Sequence, residues 1–351
     1  MGLQGQITSC PGLFISQIAI GDVITSLPLF KSLERLTGLA IHVATPAALD
    51  DIYAHDPRVG RVFILPDALF SIDIETTPSE DSFLDEIVST QYGLVVDTIS
   101  SPGTSVLVSQ IDSPIKAGIA FESNSGRYTH LLDLQDWLRW GDSQRTATDC
   151  FSDIVRLADP DFSPDSPVLH VGDAYRHQGA EWLDAHAVSD KPVVAINPGA
   201  GSPLKRWPIE RFINVAAEIE QQGYFPVFVF GPKESTMHEA VAGEICSRGW
   251  AIWASADFRV QPLAGLLSHC AFLLTNDCAV MHVSAAIGTP TAAIFGPTHS
   301  KVWFPYSSER HLVIENEVEC RQTCKWGCDD RQCLDSLAAD DVLLRLRKWL
   351  S

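Results

Sequence analysis

The sequence predicts an α/β protein in which helices cross between the strands of parallel sheets, with two such sheets in tandem. Three observations carry this. Short, buried-looking apolar runs alternate with helical patterns along both halves of the chain, and strands separated by helices imply parallel pairing with crossover connections. The alternation lapses in a proline- and acid-rich stretch, residues 159–167, and restarts at Val193. The chain has 351 residues, enough for two domains of ordinary size. The expected architecture is two Rossmann-like domains facing across a cleft. The first covers residues 1–188 and the second 189–351, with Ser189-Asp190-Lys191-Pro192 as the linker.

In the first half, residues 13–17 form the first candidate strand. Ile20-Gly21-Asp22 then opens a helical pattern with apolar residues at 23, 24, 27, 30 and 33, which Pro28 should kink or break. Strand-like runs recur at 40–44, 61–65, 93–97 and 115–119, and the clearest helix between them covers 79–89. Residues 168–171 are expected to add one more strand, and 174–186 a helix leading out of the domain.

The second half begins with a strand over 193–197 and the loop PGAGSPLKRWP. An amphipathic helix over 209–222 ends at Gly223. A strand over 226–230 leads through Gly231-Pro232-Lys233-Glu234 into a helix that Gly249 stops. A short strand at 251–254 and a short helix at 263–269 precede the stretch that organises this half. There a buried strand, 271–274, turns at Thr275-Asn276-Asp277 into a small-residue helix, 278–287. Gly288-Thr289-Pro290 ends that helix before a second buried strand, 291–295, and a final helix over 338–350 closes the chain. This unit puts a polar turn at the carboxyl end of a strand, where open α/β sheets hold ligands. A helix N-terminus there offers N–H groups and partial positive charge to a phosphate. Asn276 and Asp277 equally suit the plain role of helix caps.

Composition narrows the function classes. Apolar residues make up 46% of the chain and charged ones 20%, as in a soluble globular protein. No apolar run approaches the roughly 20 residues needed to cross a bilayer. The start, MGLQGQITSCPG, lacks the basic-then-apolar layout of a signal peptide, and Gln6 breaks the myristoylation pattern. Nine cysteines, an odd number in a long chain, argue against a secreted disulfide scaffold. The expected location is the cytoplasm, with at most peripheral membrane contact. The net charge of −19 is uneven: residues 1–185 hold 10 Lys+Arg and 26 Asp+Glu, and residues 186–351 hold 15 and 18. An acidic first half repels nucleic acid, which is excluded as a partner, and repels anionic membrane surfaces. Solubility alone accounts for much of this charge.

Several short motifs stand in a fixed order. They are Ile20-Gly21-Asp22 with Leu27-Pro28, Asn197-Pro198-Gly199-Ala200 with Lys205-Arg206-Trp207-Pro208, and Phe230-Gly231-Pro232-Lys233-Glu234. After them come Asn276-Asp277 with Met281-His282, and Gly288-Thr289-Pro290 with Phe295-Gly296-Pro297-Thr298. Together they resemble glycosyltransferase family 9, best known for lipopolysaccharide heptosyltransferases. The resemblance spans nearly the whole chain. It implies a GT-B fold, an activated-sugar donor such as ADP-heptose, inversion at the anomeric carbon and no metal in catalysis.

Glycosyl transfer needs a base for the acceptor hydroxyl and positive charge for the departing diphosphate. Asp22, at the tip of the first strand, is the expected catalytic base, a role the resemblance favours over capping. Lys205 suits a phosphate, as a flexible point charge in a glycine- and proline-containing loop. Trp207 reads as a packing residue, and Arg206 as one that faces solvent or pairs with an acid. Glu234 matches the family's ribose-contacting acid. Asp277 is expected to bind sugar hydroxyls or hold its loop, since a carboxylate repels a diphosphate. His282 is expected either to donate to a phosphate or to pack. Gly21, Ser202, Cys278 and Ala279 complete the expected donor set. The family usually has Thr or Ser then Gly after this aspartate, and Cys278-Ala279 stands here instead, so Ala279 adds a methyl group where backbone and ligand approach. The only D-x-D, Asp159-Pro160-Asp161, lies in the acidic loop and is weak support for a metal-bound donor.

Cys320, Cys324, Cys328 and Cys333 are four thiols within 14 residues, a set that suits a structural zinc or iron or else remains free thiols. The sequence therefore points to an inverting glycosyltransferase that takes a nucleotide-sugar, with heptose as the expected sugar. The net charge of the first half favours a neutral glycan or a protein acceptor. Two other readings stay open: a sugar-nucleotide-binding protein without catalysis, and a GT-B sugar-nucleotide epimerase.

Overall fold

The computed structural model describes residues 10–71, 82–124, 126–138, 145–186, 191–255, 257–306, 309–321, 327–328 and 330–350. The chain divides into two compact units, Met1–His170 and Val171–Ser351.

The first unit is built on a sheet of β1 (Gly12–Ile15), β2 (Ile41–Pro46), β3 (Val59–Leu65), β4 (Leu94–Asp97), β5 (Lys116–Ile119) and β6 (His130–Leu132). All neighbours are parallel, in the order β3-β2-β1-β4-β5-β6. The central strands GLFI and LVVD are buried at every position, as parallel strands covered on both faces must be. One face carries Leu13, Ile15, Val95, Leu107 and Phe63. On the other, Phe14 meets Phe30 edge-on at 4.9 Å, and Phe30 stacks on Tyr53. Pro28 acts as expected: helix α1 (Ile20–Ser26) breaks into a 3-10 turn, Leu27–Leu29, before α2 (Phe30–Thr37).

The second unit repeats the design with β7 (Val193–Asn197), β8 (Phe225–Phe230), β9 (Ala251–Ala254), β10 (Cys270–Asn276), β11 (Thr291–Phe295) and β12 (His311–Glu315). Its order is β12-β11-β10-β7-β8-β9, again parallel throughout. Counted from the start of each unit, both sheets read 3-2-1-4-5-6. The stops at Gly223, Gly249 and Gly288 take positive φ of 91°, 77° and 85°, the left-handed region that glycine enters without a β-carbon clash.

The expected boundary at 188/189 moves to His170/Val171. The helix assigned to the first domain, α3 (Asp173–Ala185), packs into the second unit against α4 (Val260–Leu267). Two glycines make this possible. A β-carbon on Gly265 would stand 2.1 Å from the Tyr175 carbonyl oxygen, and one on Gly179 would stand 2.6 Å from Gly265. Of the expected linker, Ser189 and Asp190 lie outside the described residues, while Lys191 and Pro192 lead directly into β7. The strand expected at 168–171 is not formed: Val168 is exposed and the stretch pairs with no strand. Pro167 removes a ladder donor just before it. Two edge strands, β6 and β12, were not anticipated, since neither shows a clean apolar run.

Candidate functional site

In a doubly wound sheet the ligand crevice opens outside the carboxyl ends of the two strands where the winding reverses direction. In the second unit those strands are β7 and β10. The residues after them are 198–206 and 276–279, the stretches singled out from the sequence.

Asn276 is fully buried and ties the two loops together. Its side chain donates to the carbonyls of Pro198 (2.8 Å) and Gly199 (3.3 Å) and accepts the Trp207 N–H at 3.0 Å. It is therefore a brace, not a cap. Trp207 is 1% exposed, donates its indole N–H to the Leu337 carbonyl at 2.9 Å, and serves packing as expected. Arg206 does not face solvent freely, and among the described residues it pairs with no acid. Its guanidinium donates twice to the Ala200 carbonyl and curls its own loop.

Asp277 is 4% exposed, and its carboxylate accepts from Lys205 Nζ at 2.7 Å and from Thr298 Oγ1 at 2.5 Å. One acid thus gathers three loops, those after β7, β10 and β11. It also holds the Lys205 ammonium in place, with only part of that side chain open to solvent. Ser202 caps the 3-10 turn Pro203–Lys205 by accepting the Leu204 N–H.

Helix α5 (Ala279–Ala286) starts directly after this knot. Its N-cap residue is Cys278, and no side chain caps the first turn. The Cys278 thiol donates instead to Asn197 Oδ1 (3.2 Å) and lies 3.3 Å from Thr275 Oγ1. Burial pushes this thiol above its ordinary pKa, so it stays protonated and is no nucleophile at neutral pH. Ala279, the first residue of the helix, is half-exposed. His282, one turn in, is buried, and burial lowers it to about 4, so the ring is neutral at pH 7. Its Nδ1 lies 3.2 Å from the Tyr306 hydroxyl, a partner that sequence reasoning missed because the tyrosine follows 24 residues later.

Glu234 ends the loop after β8 and accepts the Gly231 N–H at 3.1 Å. Its side chain lies over two glycines. A β-carbon on Gly199 would meet Glu234 Cγ at 2.7 Å, and one on Gly231 would meet Glu234 Oε2 at 2.9 Å. The glycines of two separate motifs thus leave room for one carboxylate, and a β-carbon at either would push the Glu234 side chain aside. Phe258, also missed, stands 3.6 Å from the same Gly231 position and gives this corner a half-exposed aromatic wall.

Two further arginines brace the site from the end of the chain. Arg331 donates to the carbonyls of Pro203 (2.9 Å) and Arg206 (3.2 Å). Arg321 donates to those of Gly296 (2.5 Å) and Thr298 (3.3 Å). Both arginines stand within the cysteine-rich stretch, 320–333. Cys320 is exposed, Cys328 half-buried and Cys333 buried, while Cys324 lies outside the described residues. Burial raises the Cys333 thiol, and the neighbouring Cys320 and Cys328 raise it further, against the opposing pull of Arg321. Among the described residues no three of His, Cys, Asp or Glu are gathered to hold a metal.

In the first unit the reversal lies between β1 and β4. Asp22 is the third residue of α1, half-buried, and Ala19 rather than Asp22 occupies the cap position; Gly21 precedes it in the first turn. The loop leading to them is tied across the reversal, since the Gln17 side chain donates to the Thr98 carbonyl and Ser16 donates to Thr45 Oγ1 at 2.9 Å. Beyond β4, the fully buried Asp97 accepts N–H groups of Ile99 (3.1 Å) and Ser100 (2.8 Å) and the Tyr128 O–H (2.7 Å). Burial raises its pKa. These bonds hold Ser100 at φ 52°, an unusual place for a residue with a β-carbon.

Comparison with known proteins agrees with this construction. The family model for glycosyltransferase family 9 (heptosyltransferase) matches residues 82–333. The chain is 27% identical over 356 residues to lipooligosaccharide heptosyltransferase 2 of Haemophilus influenzae, covering 97% of this chain and 99% of that one. Among solved structures it superposes on a glycosyl transferase family 9 protein from Veillonella parvula with a TM-score of 0.80 at 22% identity, over 98% of each chain. It superposes on E. coli ADP-heptose lps heptosyltransferase II with a TM-score of 0.76 at 20% identity, over 97% and 98% of the two chains. A more distant match, TM-score 0.58 at 13% identity over 99% and 78%, is the dodecameric iron-containing heptosyltransferase TibC with ADP-D-beta-D-heptose. At these identities the structures establish the shared GT-B fold. The family match covers most of the chain and includes the Lys205, Glu234, Asp277 and His282 loops: this protein belongs to glycosyltransferase family 9 and is a glycosyltransferase.

Proposed function

We propose that the protein transfers a heptose from ADP-heptose, with inversion, to a neutral glycan or protein acceptor. The observation that carries the donor half is the knot at the β7–β10 reversal. Lys205 is held by a buried acid beside an uncapped helix N-terminus, and Glu234 lies over two glycines. The ADP-heptose relatives support the identity of the donor.

In this reading Glu234 accepts the ribose hydroxyls and Phe258 walls the nucleoside side. The acceptor oxygen gives its proton to Asp22 and attacks the anomeric carbon from the face opposite the diphosphate. The bond to the phosphate oxygen breaks, and its electrons pass to the diphosphate. Lys205, the N–H groups at the start of α5 and His282 stabilise that charge. Asp277 acts by holding Lys205 and Thr298, not by touching phosphate. Catalysis needs no metal in this scheme.

The acceptor assignment rests on how the first unit spends its cations. Lys31 pairs with Asp165, Arg35 with Asp159, Arg58 with Asp56, Arg61 with Glu86, Arg145 with Asp153, and Arg156 with Asp149 and Asp153. Arg127 is instead held by the Ser105 hydroxyl at 2.7 Å and the Pro102 carbonyl. Lys116 makes no ion pair among the described residues, and Arg139 lies outside them. With most of its other cations paired in this way, the unit favours a neutral acceptor over a phosphate-rich one.

Cys320, Cys328 and Cys333, with Cys324, are the soft donors that would hold a structural iron or zinc. The iron in TibC supports this site. Such an ion would link the thiolates and stiffen the segment between Arg321 and Arg331, and no catalytic step uses it. Elemental analysis should find about one metal per chain, lost in a Cys324→Ser Cys328→Ser double variant.

The function is tested by thermal shift with ADP-, GDP- and UDP-sugars, followed by product analysis. ADP-heptose should raise the melting temperature most, and transfer should give a product of inverted anomeric configuration. Preferred binding of another nucleotide, or a retained configuration, would overturn the reading.

A further inference from the structure

Beside the donor knot stands Tyr306, partly buried against an aromatic cluster. Its ring packs edge-on against Phe304 at 5.1 Å and lies 5.8 Å from His311, in a cluster with Met281, Ala285 and Phe295. Held there, its hydroxyl reaches two atoms of one residue: Nδ1 of His282 at 3.2 Å and the His282 carbonyl at 3.4 Å. A phenol has one proton to give. The carbonyl sits inside α5, where the helix already supplies it with an N–H four residues on. The imidazole nitrogen is the nearer acceptor and has no such partner. Burial keeps the ring neutral, so only one of its nitrogens carries hydrogen. The charges of Asp277 and Lys205 both bear on this ring, which places it beside the group that meets the leaving diphosphate.

We propose that Tyr306 is a positioning residue: by donating its hydroxyl proton to Nδ1, it holds His282 as the Nε2–H tautomer, so that His282 meets the sugar nucleotide as a neutral hydrogen-bond donor. The proposal rests on the reading of His282 as a donor-site residue. In the other tautomer Nε2 would present a lone pair, which repels a phosphate oxygen. The tyrosine thus decides whether His282 helps or opposes donor binding, without itself touching the ligand. A positively charged histidine would serve the diphosphate more strongly, but burial in the helix forbids it, and the fixed tautomer is the neutral alternative.

The test uses the full chain labelled with 15N in its imidazoles and long-range 1H–15N correlation at pH 7.5, with His282 assigned by comparison with His282→Ala. The expected result is a protonated Nε2 and a bare Nδ1 in the wild type. Tyr306→Phe, which keeps the ring packing, should show a mixed tautomer and bind ADP about threefold to tenfold more weakly, the loss of one neutral hydrogen bond's influence. A protonated Nδ1 in the wild type, or an unchanged tautomer in Tyr306→Phe, would overturn the proposal. Unchanged ADP affinity in His282→Ala would separately remove His282 from the donor site, and the role of Tyr306 with it, whatever the tautomer.

Discussion

The two units share a strand order and differ in what surrounds the point where it reverses. In the first, the reversal carries Asp22, half-buried in the first turn of α1 behind a loop tethered by Gln17 and Ser16, and the fully buried Asp97 at the end of β4. In the second, it carries a lysine, a buried acid, a neutral histidine and an uncapped helix start, with main-chain braces from Asn276, Arg206, Arg321 and Arg331. The same topology therefore provides the same kind of place twice, and side chains decide its chemistry. The more heavily braced unit is the one assigned to the charged, multi-point donor. A diphosphate sugar is recognised by groups that must already be in position, whereas one base needs only a correctly aimed loop.

That division predicts a separation of effects. Asp22→Asn should lower turnover by roughly 10²–10⁴-fold, the scale of losing a general base, with ADP affinity unchanged in calorimetry. Near-normal turnover would remove the base from the first unit and dissolve the contrast.

A pH effect on stability is expected from two buried histidines of the second unit. His282 and His311 are both lowered by burial from 6.5 to about 4. Their folded values lie below their unfolded ones, so their contribution to stability is present above pH 6.5 and is lost as pH falls through about 4. Each contributes on the order of a few kcal/mol. Urea unfolding of the full chain between pH 7 and pH 4 should show this loss, and a His311→Phe variant should flatten part of it. A pH-independent midpoint would mean that neither ring is buried neutral.

Lys205→Ala should weaken ADP binding by about 1.5–3 kcal/mol, as for a charged hydrogen bond, and leave the first unit's stability alone. The lower end is expected, because in the free protein the ammonium is already satisfied by Asp277. Identical affinity would make the lysine a brace for Asp277 and nothing more.

The smallest effect is expected at Arg331→Ala, which removes two main-chain bonds from the 203–206 loop. A loss of about 1 kcal/mol in unfolding free energy, with ADP affinity lowered less than in Lys205→Ala, fits a brace remote from the ligand. An affinity loss larger than that of Lys205→Ala would show that bracing, not charge, sets donor binding.

The sequence by itself determined the fold and the polar loops that follow its buried strands. Fully buried strands such as VVAIN and TAAIF are continuous apolar runs, and the glycine stops require no partner to be read. These features are local, so a linear reading captures them. Asp22, Lys205, Glu234 and Asp277 were legible for the same reason, as polar residues placed just beyond buried strands.

What only the tertiary structure decided is which of those residues face each other. That Asp277 serves Lys205 and Thr298, that Asn276 braces Trp207 and Pro198, and that Tyr306 meets His282 depends on loops 21 to 78 residues apart converging at one sheet end. The domain boundary was hidden for a similar reason. A helix beginning at Asp173 looks like the tail of the first half until Gly179 and Gly265 let two backbones touch. Periodicity records which face of an element is buried, but it carries no information about the element that buries it, and side-chain partnership is fixed only when the packed core brings distant strand ends together.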